Sequence, residues 1–388
     1  MNILFTSSWF PSKEHETLGN FVERHAVASA LYHDVFVLYV RSAKQKEDFT
    51  LEVSEEKGLK KVIVYYKKVD NAGLAFLKFW RFYQGMKLGL KMLETKFGLK
   101  TIDVCHHNIH FEAGIIPLYL KRKFGTPYII SENWTGFLPS NRGQYTGLFR
   151  KWLTKRIGNK ADVQVPVSLD LKKSLEELGI SIGRVEIVPN VVEVKQFTLG
   201  VKPSIQDGCK FIHISTLDED HKNISGILRT FKKFCSKHVN SHLSIVGDGD
   251  ASLARKLVKD FSLENQVSIY GRMESQEIAE TLQSHHIFIL FSNYENLPCV
   301  IVESLASGTP VLASTAGGTP EHLSPNLGEL VSPKDEELLL EKMNFMLNNY
   351  ESYESEELRA YAIKHFSYEV VGQQFSDIYQ SLLDNPRQ

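Results

Sequence analysis

Short apolar segments alternate with longer amphipathic segments along almost the whole chain. Parallel strands need a crossover connection, usually a helix, so this order is typical of parallel sheets covered by helices on both faces. In the first half we predict strands at residues 2–6, 34–39, 62–66, 103–106, 128–131, 163–167 and 185–188. The second half repeats the rhythm with predicted strands at residues 210–215, 241–246, 267–270, 287–291 and 311–313. The alternation therefore predicts an α/β protein with two doubly wound parallel sheets.

The length of the chain supports the division into two domains. Its 388 residues exceed what one core supports, because single cores stop growing near about 250–300 residues. Periodicity is lost across residues 195–207, where Gly200, Pro203 and Gly208 give a composition typical of a linker. We place the first domain at residues 1–195 and the second at 196–365, followed by a helical segment at 368–383.

The overall charge is balanced, but the two halves differ. The net charge is −1, yet residues 1–200 hold 29 basic and 20 acidic residues, and the remainder holds 16 basic and 26 acidic. The two halves are therefore expected to face different partners. The basic residues form no recognised nucleic-acid module, so we expect no nucleic-acid partner.

Cysteine usage and the lack of long apolar runs indicate the compartment. Cys105, Cys209, Cys235 and Cys299 are far apart in the chain, which in a protein of this length predicts reduced thiols in the cytoplasm. The N-terminus lacks the basic and apolar regions of a signal peptide, and no run is long enough to span a bilayer. We expect a cytoplasmic protein that is soluble or lies on the membrane without crossing it.

The most informative polar residues lie in residues 292–310, SNYENLPCVIVESLASGTP. A predicted strand leads into a loop with Glu295, and a helix beginning near Pro298 contains Glu303. Ligands of open parallel sheets bind beyond the carboxyl ends of strands, and the N–H groups at a helix start suit phosphate. A carboxylate suits a sugar diol because it accepts two hydroxyl hydrogen bonds. The alternative interpretation is a solvated loop acid and a surface helix acid.

This segment resembles the signature of the retaining GT-B-fold glycosyltransferases of family 4, also called group 1. The matching positions are Glu295, Glu303, Gly308, Pro310 and Val311. Four other segments resemble the same family: the opening WFPSKEHETLGNFVERHAV, then ADVQVPVSLDLKKSLEELGI, VEIVPNVVEVKQF and GGTPEHL. The resemblance thus extends along nearly the whole chain.

The resemblance implies a GT-B fold, with two Rossmann-like domains facing a cleft. The first domain would lie on the acceptor side, and the helix at 368–383 would pack back onto it. The second domain would bind a nucleoside diphosphate sugar.

Three residues receive chemical roles from the resemblance. Glu303 would bind the ribose hydroxyls of the donor, and Glu295 would lie beside the donor sugar. Lys222, in HISTLDEDHKN, matches the family's diphosphate lysine and would oppose the charge of the leaving group. An exposed lysine before a helix is the alternative for Lys222.

Other positions are implied mainly through the backbone. These donor-binding positions are Gly19, Gly271, Arg272, Asn296, Leu297, Cys299 and Val300. Pro298 has no N–H, so the cradle at the helix start must use residues 299 and 300. A plain turn glycine, a surface arginine and a buried thiol are the alternatives for Gly19, Arg272 and Cys299.

Two positions depart from the family. Thr216, counted here with the donor-binding residues, stands where an arginine is frequent, so His221 or Arg24 would have to supply part of that charge. Asn133 stands where a histidine is frequent, and we assign it to the catalytic group although an asparagine cannot hold a proton. A histidine of the nearby HHNIH segment is the alternative, against a packing role for these residues.

The expected activity is transfer of a sugar from a nucleoside diphosphate sugar to a hydroxyl of a glycan or lipid-linked acceptor, with retention. Synthesis of cell-surface polysaccharide or glycolipid is the expected process. We expect no cofactor and no metal, with UDP as the leading donor nucleotide. The alternatives are a GT-B nucleotide-sugar epimerase or phosphorylase, or a non-catalytic partner in a polysaccharide assembly complex.

Residues 76–100 suggest contact with the inner face of a membrane. In FLKFWRFYQGMKLGLKMLETKFGLK, aromatic residues interleave with lysines and an arginine, a mixture that suits the lipid headgroup region. The alternative is that these aromatics form the face of the helix packed on the sheet of the first domain.

Overall fold

The computed structural model describes residues 1–15, 18–69, 75–111, 113–180 and 183–384. Glu16 and Thr17 of the opening motif lie outside the described residues. The chain forms two compact units: unit 1 comprises Met1–Val191 and Tyr368–Gln388, and unit 2 comprises Val192–Ser367. The division thus falls after Val191, where the sequence had suggested 195, and the chain returns to unit 1 at Tyr368.

Unit 1 contains one eight-stranded sheet. Its strands are β1 (Asn2–Ser7), β2 (Asp34–Ala43), β3 (Phe49–Glu56), β4 (Leu59–Lys67), β5 (Val104–Asn108), β6 (Tyr128–Glu132), β7 (Val163–Pro166) and β8 (Arg184–Val185). They lie in the order β3-β4-β2-β1-β5-β6-β7-β8. All neighbours are parallel except β3, which pairs with β4 in antiparallel fashion.

Helices cover both faces of this sheet. They are α1 (Asn20–Ala30), α2 (Ala75–Phe97), α3 (Ile115–Phe124), α4 (Leu148–Lys160) and α5 (Leu169–Glu177), with α13 (Tyr368–Asp384) added from the end of the chain. Successive residues of a strand point to opposite faces. Accordingly Ile3 and Phe5 belong to the core cluster that includes α1 and α13, whereas Leu4 belongs to the cluster that includes α2 and α3.

Helix α13 is an integral part of unit 1. A Cβ at Gly372 would lie 2.3 Å from the carbonyl oxygen of Ala28, so the two backbones are in close contact. The hydroxyl of Tyr379 lies 2.6 Å from Nδ1 of His106 and 3.1 Å from Oγ of Ser29, and all three residues are buried. The helix therefore completes both the apolar core and its internal hydrogen bonds.

Unit 2 contains a six-stranded, entirely parallel sheet. Its strands are β9 (Lys210–Ser215), β10 (His242–Gly247), β11 (Val267–Tyr270), β12 (Ile287–Leu290), β13 (Val311–Ser314) and β14 (Gly328–Val331), in the order β11-β10-β9-β12-β13-β14. Its helices are α6 (Glu219–Lys222), α7 (Ile224–Cys235), α8 (Ser252–Asp260), α9 (Ser275–Gln283), α10 (Cys299–Ala306), α11 (Glu336–Asn348) and α12 (Ser355–Phe366).

Both units are doubly wound α/β domains, which confirms the predicted fold class. In each sheet the strand order reverses beside the first strand, at β1/β5 in unit 1 and at β9/β12 in unit 2. In the described part of the chain, no helix is both long and apolar enough to span a membrane.

Candidate active site

The point where strand order reverses is the expected ligand site of each unit. Connections leave the sheet in opposite directions there, so a crevice opens beyond the carboxyl ends of the two strands. In unit 2 this point lies between β9 and β12, and Lys222 and Glu295 follow these two strands. In unit 1 it lies between β1 and β5, and His110 follows β5.

The segment after β9 positions Lys222. Leu217 is buried with a φ of 56°, a left-handed conformation that is strained for a side chain of this size. Asp218 then caps the short helix α6, accepting a hydrogen bond from the N–H of His221 at 3.1 Å. Lys222 is the last residue of α6, so its position is set by a tight turn and not by a long helix.

Lys222 forms an ion pair with Glu295 across the reversal point. Nζ of Lys222 lies 2.5 Å from Oε1 of Glu295, and the Ser292 hydroxyl donates to the same oxygen at 2.7 Å. Asn293 joins the two loops further, since its N–H donates to the His221 carbonyl at 2.7 Å and its side chain to the Asp220 carbonyl. Two of the three residues predicted as catalytic are thus brought together directly.

The loop after β13 lies against the Glu295 segment. Gly317 has a φ of 57°, and a Cβ there would lie 1.7 Å from the Glu295 carbonyl oxygen. The N–H of Gly318 donates to the Asn296 carbonyl at 2.8 Å. Only glycine allows this approach, so the backbone around Glu295 is held between the β9 and β13 loops.

Helix α10 begins directly after the loop that contains Glu295, as the sequence predicted. Pro298 is its first flanking residue, and the helix runs from Cys299 to Ala306. Glu303 is buried within it at 6% exposure, so it is not the surface acid of the alternative interpretation. Its neighbours in the proposed cradle are buried at Asn296 and Leu297 and half-buried at Cys299 and Val300.

The remaining predicted donor positions of unit 2 are more exposed. Thr216 follows β9 and is exposed, and its carbonyl oxygen lies against Gly249. Gly271 and Arg272 follow β11, which is separated from β9 by β10. Arg272 lies 3.4 Å from Glu274, and a Cβ at Gly271 would meet nothing within 4 Å. These positions share the carboxyl edge of the sheet with Lys222.

His110 occupies the corresponding place in unit 1, after an outlier of the backbone. Ile109 has a φ of 64°, which is rare for a β-branched residue, and its N–H donates to the Ser131 carbonyl. This conformation directs His110 to the wall of a cavity of about 340 Å³ at the carboxyl ends of β1, β2 and β5. Such a strained position is common at functional sites.

A buried carboxylate orients His110. Oε2 of Glu132 lies 2.5 Å from Nδ1 of His110 and accepts the His110 N–H at 3.1 Å. Oε1 of Glu132 accepts the N–H groups of Asn133 and Trp134 at 2.8 and 2.7 Å. A proton on Nδ1 makes Nε2 an acceptor, and Nε2 has no hydrogen-bond partner among the described residues. Sequence reasoning missed the role of Glu132, although it directly follows the predicted strand 128–131.

The other predicted residues of unit 1 have different surroundings. The Asn133 side chain donates to Asn190 at 2.6 Å. Gly19 caps α1 with a φ of 78°, and a Cβ there would lie 2.6 Å from the Trp9 carbonyl oxygen. His106 and His107 are fully buried, and burial lowers the pKa of His107 to about 3. These two histidines therefore pack in the core. His110 is equally buried, but it forms part of the cavity wall.

Two sequence families match this chain, one for each unit. Residues 200–365 match the family described as Glycosyl transferases group 1, and residues 25–196 match the one described as Glycosyltransferase Family 4. This chain belongs to the group 1 glycosyltransferases of the GT-B fold. The resemblance noted in the sequence is thereby confirmed.

Individual members of the group are distant in sequence. A GDP-mannose-dependent monoacylated alpha-(1-6)-phosphatidylinositol monomannoside mannosyltransferase of Corynebacterium glutamicum is 26% identical over 246 residues, covering 58% of this chain and 64% of that enzyme. The match thus spans less than two thirds of that enzyme's length.

Solved structures of two other proteins share the fold over nearly the whole chain. Sucrose-phosphate synthase of Thermosynechococcus elongatus has a TM-score of 0.76 at 18% identity, covering 99% of both chains. HepE of Anabaena, solved in complex with UDP, has a TM-score of 0.72 at 15% identity, covering 98% of this chain and 100% of that one. At these identities the likeness concerns the fold of this glycosyltransferase.

No metal centre is formed by the described residues of this glycosyltransferase, since no three His, Cys, Asp or Glu side chains cluster as ligands. Its polar groups instead form two separate arrangements, Lys222 with Glu295 in unit 2 and His110 with Glu132 in unit 1. Arg41 and Arg150, which line the same cavity as His110, carry no local sequence signal and were also missed.

Proposed function

We propose that the protein transfers a sugar from a nucleoside diphosphate sugar to a hydroxyl of a glycan or lipid-linked acceptor, with retention of configuration and without a metal. Unit 2 would bind the donor and unit 1 the acceptor. The ion pair of Lys222 with Glu295 at the strand-order reversal is the observation that carries this proposal.

The ion pair suits a diphosphate beside a sugar. A lysine ammonium has three N–H donors, and Glu295 takes one of them, so two can meet diphosphate oxygens. Both hydrogen bonds to Glu295 fall on Oε1, and we assign Oε2 to a hydroxyl of the donor sugar. The ammonium then opposes the charge that grows on the diphosphate as the glycosidic bond breaks.

The other donor contacts follow from position. Glu303, buried in α10, is assigned to the ribose hydroxyls, and the N–H groups of Cys299 and Val300 at the start of that helix to the diphosphate. The edge formed by Gly271 and Arg272 is assigned to the nucleobase. Its open space suits a flat ring against the backbone.

In unit 1, His110 replaces the histidine that the family often has at Asn133. Its Nδ1 is held by Glu132, and its Nε2 accepts the hydrogen bond of the acceptor hydroxyl. His110→Gln should therefore lower transfer more than Asn133→Ala does, because the wild-type Asn133 side chain is already engaged with Asn190. An equal or larger loss in Asn133→Ala would return the role to position 133.

Retention and metal independence rest on the same groups. The acceptor hydroxyl attacks the anomeric carbon on the face from which the diphosphate leaves, and its proton passes to Nε2 of His110. Lys222 and the start of α10 supply the positive charge that a metal would otherwise give. An NMR spectrum of the product gives its anomeric configuration, and turnover in EDTA tests the metal requirement. An inverted product or loss of turnover in EDTA would refute the respective part.

The donor nucleotide is best tested directly. The UDP complex of HepE supports UDP, while the corynebacterial relative is GDP-mannose-dependent. Titration of the purified protein with UDP-, GDP- and ADP-sugars, followed by assays for hydrolysis, should give binding to UDP-sugars first. Failure to bind any nucleotide sugar would refute the proposed function, and release of an epimerised nucleotide sugar would favour the epimerase alternative.

Contact with a membrane is supported by exposed aromatics at the start of two helices. In α2, Phe76 is 82% exposed and Phe79 and Trp80 are about half exposed, whereas Phe82 is buried. The core-packing alternative therefore does not hold for these three residues. Helix α4 begins with a similar group, the exposed residues Leu148, Phe149 and Trp152.

We call the exposed residues Phe76, Phe79, Trp80, Leu148, Phe149 and Trp152 the aromatic patch. Lysines and arginines flank both helices, which favours an anionic lipid surface. Cosedimentation should show binding to anionic vesicles that weakens with salt and in Phe149→Ser. Phe345→Ser, which changes an exposed phenylalanine of unit 2, is the matched control. No binding to anionic vesicles at low ionic strength would exclude this contact.

A further inference from the structure

Two arginines line the cavity of unit 1 that contains His110. Arg41 lies near the end of β2, and Arg150 lies in the first turn of α4. No aspartate or glutamate is among the described residues of the cavity wall. The described part of the cavity wall therefore carries positive charge beside the histidine assigned to the acceptor.

Neither arginine has a carboxylate partner in the described parts of the chain. Arg41 has only a long contact, 3.5 Å, to the Ser12 hydroxyl, and Arg150 donates to the Gln144 carbonyl at 3.3 Å. Their Nε atoms are buried without a hydrogen-bond partner. By contrast, Arg142 of the same unit pairs with Glu177 at 3.2 Å.

Aromatic rings hold the Arg150 guanidinium in place. Its central carbon lies 4.4 Å from the ring centroid of Trp134 and 5.2 Å from that of Phe111. Stacking occupies the faces of a guanidinium and leaves its edge, with the N–H donors, for a planar or tetrahedral anion. Buried donors that lack a partner are costly, and a phosphate or carboxylate would satisfy them.

A second, apolar cleft adjoins this cavity. It has a volume of about 180 Å³, shares Tyr66, Phe82 and Phe111 with the first cavity, and is bounded further by residues that include Phe79 and Phe149. Phe79 and Phe149 belong to the aromatic patch. The cavity with the two arginines, the apolar cleft and exposed aromatic side chains are thus adjacent.

We propose that the acceptor is an anionic lipid whose phosphate is bound by Arg41 and Arg150 and whose chain lies in the cleft beside Phe79 and Phe149. This assignment rests on the proposed function, since it takes unit 1 as the acceptor side. Charge selects the headgroup, and the apolar cleft distinguishes a lipid phosphate from a soluble one.

Intrinsic fluorescence provides a direct test. All four tryptophans, Trp9, Trp80, Trp134 and Trp152, belong to unit 1, and Trp9 and Trp134 line the cavity. The full-length protein is titrated with dioctanoyl phosphatidic acid, with glycerol 3-phosphate and with dioctanoylglycerol, each below its micellar concentration. The phosphatidic acid should bind at least about tenfold more tightly than either fragment, because only it uses both regions.

Variants separate the two regions. Arg41→Gln and Arg150→Gln should weaken phosphatidic acid binding about tenfold to a hundredfold, as expected for loss of a charge-assisted contact. Phe149→Ser should weaken binding of both lipids but not of glycerol 3-phosphate. Arg122→Gln, at an exposed arginine of α3, is the matched control and should bind like wild type. Arg150→Lys, which keeps the charge but loses the fork, should fall between wild type and Arg150→Gln.

Three results would overturn the inference: equal binding of phosphatidic acid and dioctanoylglycerol, equal binding of phosphatidic acid and glycerol 3-phosphate, or wild-type affinity in folded Arg41→Gln and Arg150→Gln. Donor hydrolysis by the wild-type protein is measured in parallel. Hydrolysis without lipid binding would refute this inference alone. Lipid binding without any nucleotide-sugar binding would refute the proposed function and leave the anion site in place.

Discussion

Unit 1 and unit 2 present charged groups at the same topological position but balance them in different ways. At the reversal point of unit 2, the cation Lys222 is already paired with Glu295. At that of unit 1, the carboxylate Glu132 is used by His110 and by backbone N–H groups, and the nearby cations Arg41 and Arg150 have no carboxylate partner among the residues that the structure describes.

The difference concerns how much positive charge remains for a bound anion. In the proposed donor site of unit 2, a diphosphate would share the Lys222 ammonium with Glu295, which already balances its charge. In the proposed acceptor site of unit 1, an anion would meet two guanidinium groups whose charge no carboxylate of the described cavity wall balances. Shared topology thus fixes where ligands bind, while side-chain pairing decides how selectively charge is recognised.

The largest difference should appear when the two carboxylates are removed. Glu132→Ala leaves buried donors of His110, Asn133 and Trp134 without an acceptor and should destabilise unit 1 by about 3–5 kcal/mol. Glu295→Ala should lower the stability of unit 2 by less, because the Lys222 side chain is 15% exposed and can reach water. Thermal unfolding followed by tryptophan fluorescence and circular dichroism measures both. Glu177→Ala, at an exposed acid of α5, is the control, and the same midpoint in Glu132→Ala and this control would contradict the comparison.

The next effect concerns catalysis in unit 2. Lys222→Ala should lower turnover of the donor about tenfold to a hundredfold, because it removes a charge that acts on the leaving group. Glu303→Ala should mainly raise the dissociation constant of the donor. Steady-state kinetics and donor titration separate the two, with Lys237→Ala, at an exposed lysine of unit 2, as control. Normal binding and turnover in both variants would mean that the donor site lies elsewhere.

Glycines of the two units offer a smaller, matched test. Gly19→Ala and Gly317→Ala each put a Cβ at positive φ beside a backbone carbonyl, 2.6 Å and 1.7 Å away. Each substitution should lower the free energy of unfolding by at least about 1–2 kcal/mol, because alanine is strained in the left-handed conformation. Gly317→Ala should lower it more, because its contact with the carbonyl oxygen is closer. Gly271→Ala meets nothing within 4 Å and should leave stability unchanged. Urea unfolding ranks the three, and an unstable Gly271→Ala would show that the ranking by contact is wrong.

The smallest effect concerns pH. Burial lowers the pKa of His107 in unit 1 to about 3 and is the main cause that lowers the pKa of His213 in unit 2 to about 4. The unfolded chain, with a histidine pKa near 6.5, then binds more protons, so stability is full above pH 6.5 and falls towards the folded value.

Between pH 6.5 and 5.5 each of these histidines should contribute a loss of about 1 kcal/mol. His107→Gln and His213→Asn should therefore reduce the slope of unfolding free energy against pH, measured by urea denaturation. His15→Gln, at an exposed histidine, serves as the control. An unchanged slope in both core variants would show that other groups control the acid sensitivity.

Much of the fold was readable from local patterns. The predicted strand 210–215 coincides with β9, and 267–270 with β11, because each is a short run rich in β-branched and aromatic residues. β3 was missed, since FTLEVSEE is mostly polar and forms an exposed antiparallel edge. The predicted strand 185–188 is present only as Arg184–Val185. Both β3 and β8 lie at edges of the sheet and have few buried residues, so their sequences carry little apolar signal.

The candidate site was only partly readable. The resemblance placed Lys222 and Glu295 near the donor, but their direct pairing joins residues 73 positions apart and follows from the strand order. Arg41 and Arg150 line one cavity because β2 and α4 border it. His110 was one of three candidate histidines, all of them buried, and it is distinguished by the left-handed Ile109 before it and by its place in the cavity wall. Long-range pairing and backbone conformation are the physical information that local patterns lack.

The return of α13 to unit 1 sets an order for folding during synthesis. Unit 2 is one continuous stretch of chain and can form while the last helix is still being made. Until the ribosome has passed Asp384, the apolar groove for Phe375 and the buried His106 in unit 1 lack the partners that α13 supplies. Unit 1, which is translated first, is thus the last to complete its native core. A chain cleaved before α13 would expose that groove to proteases and chaperones.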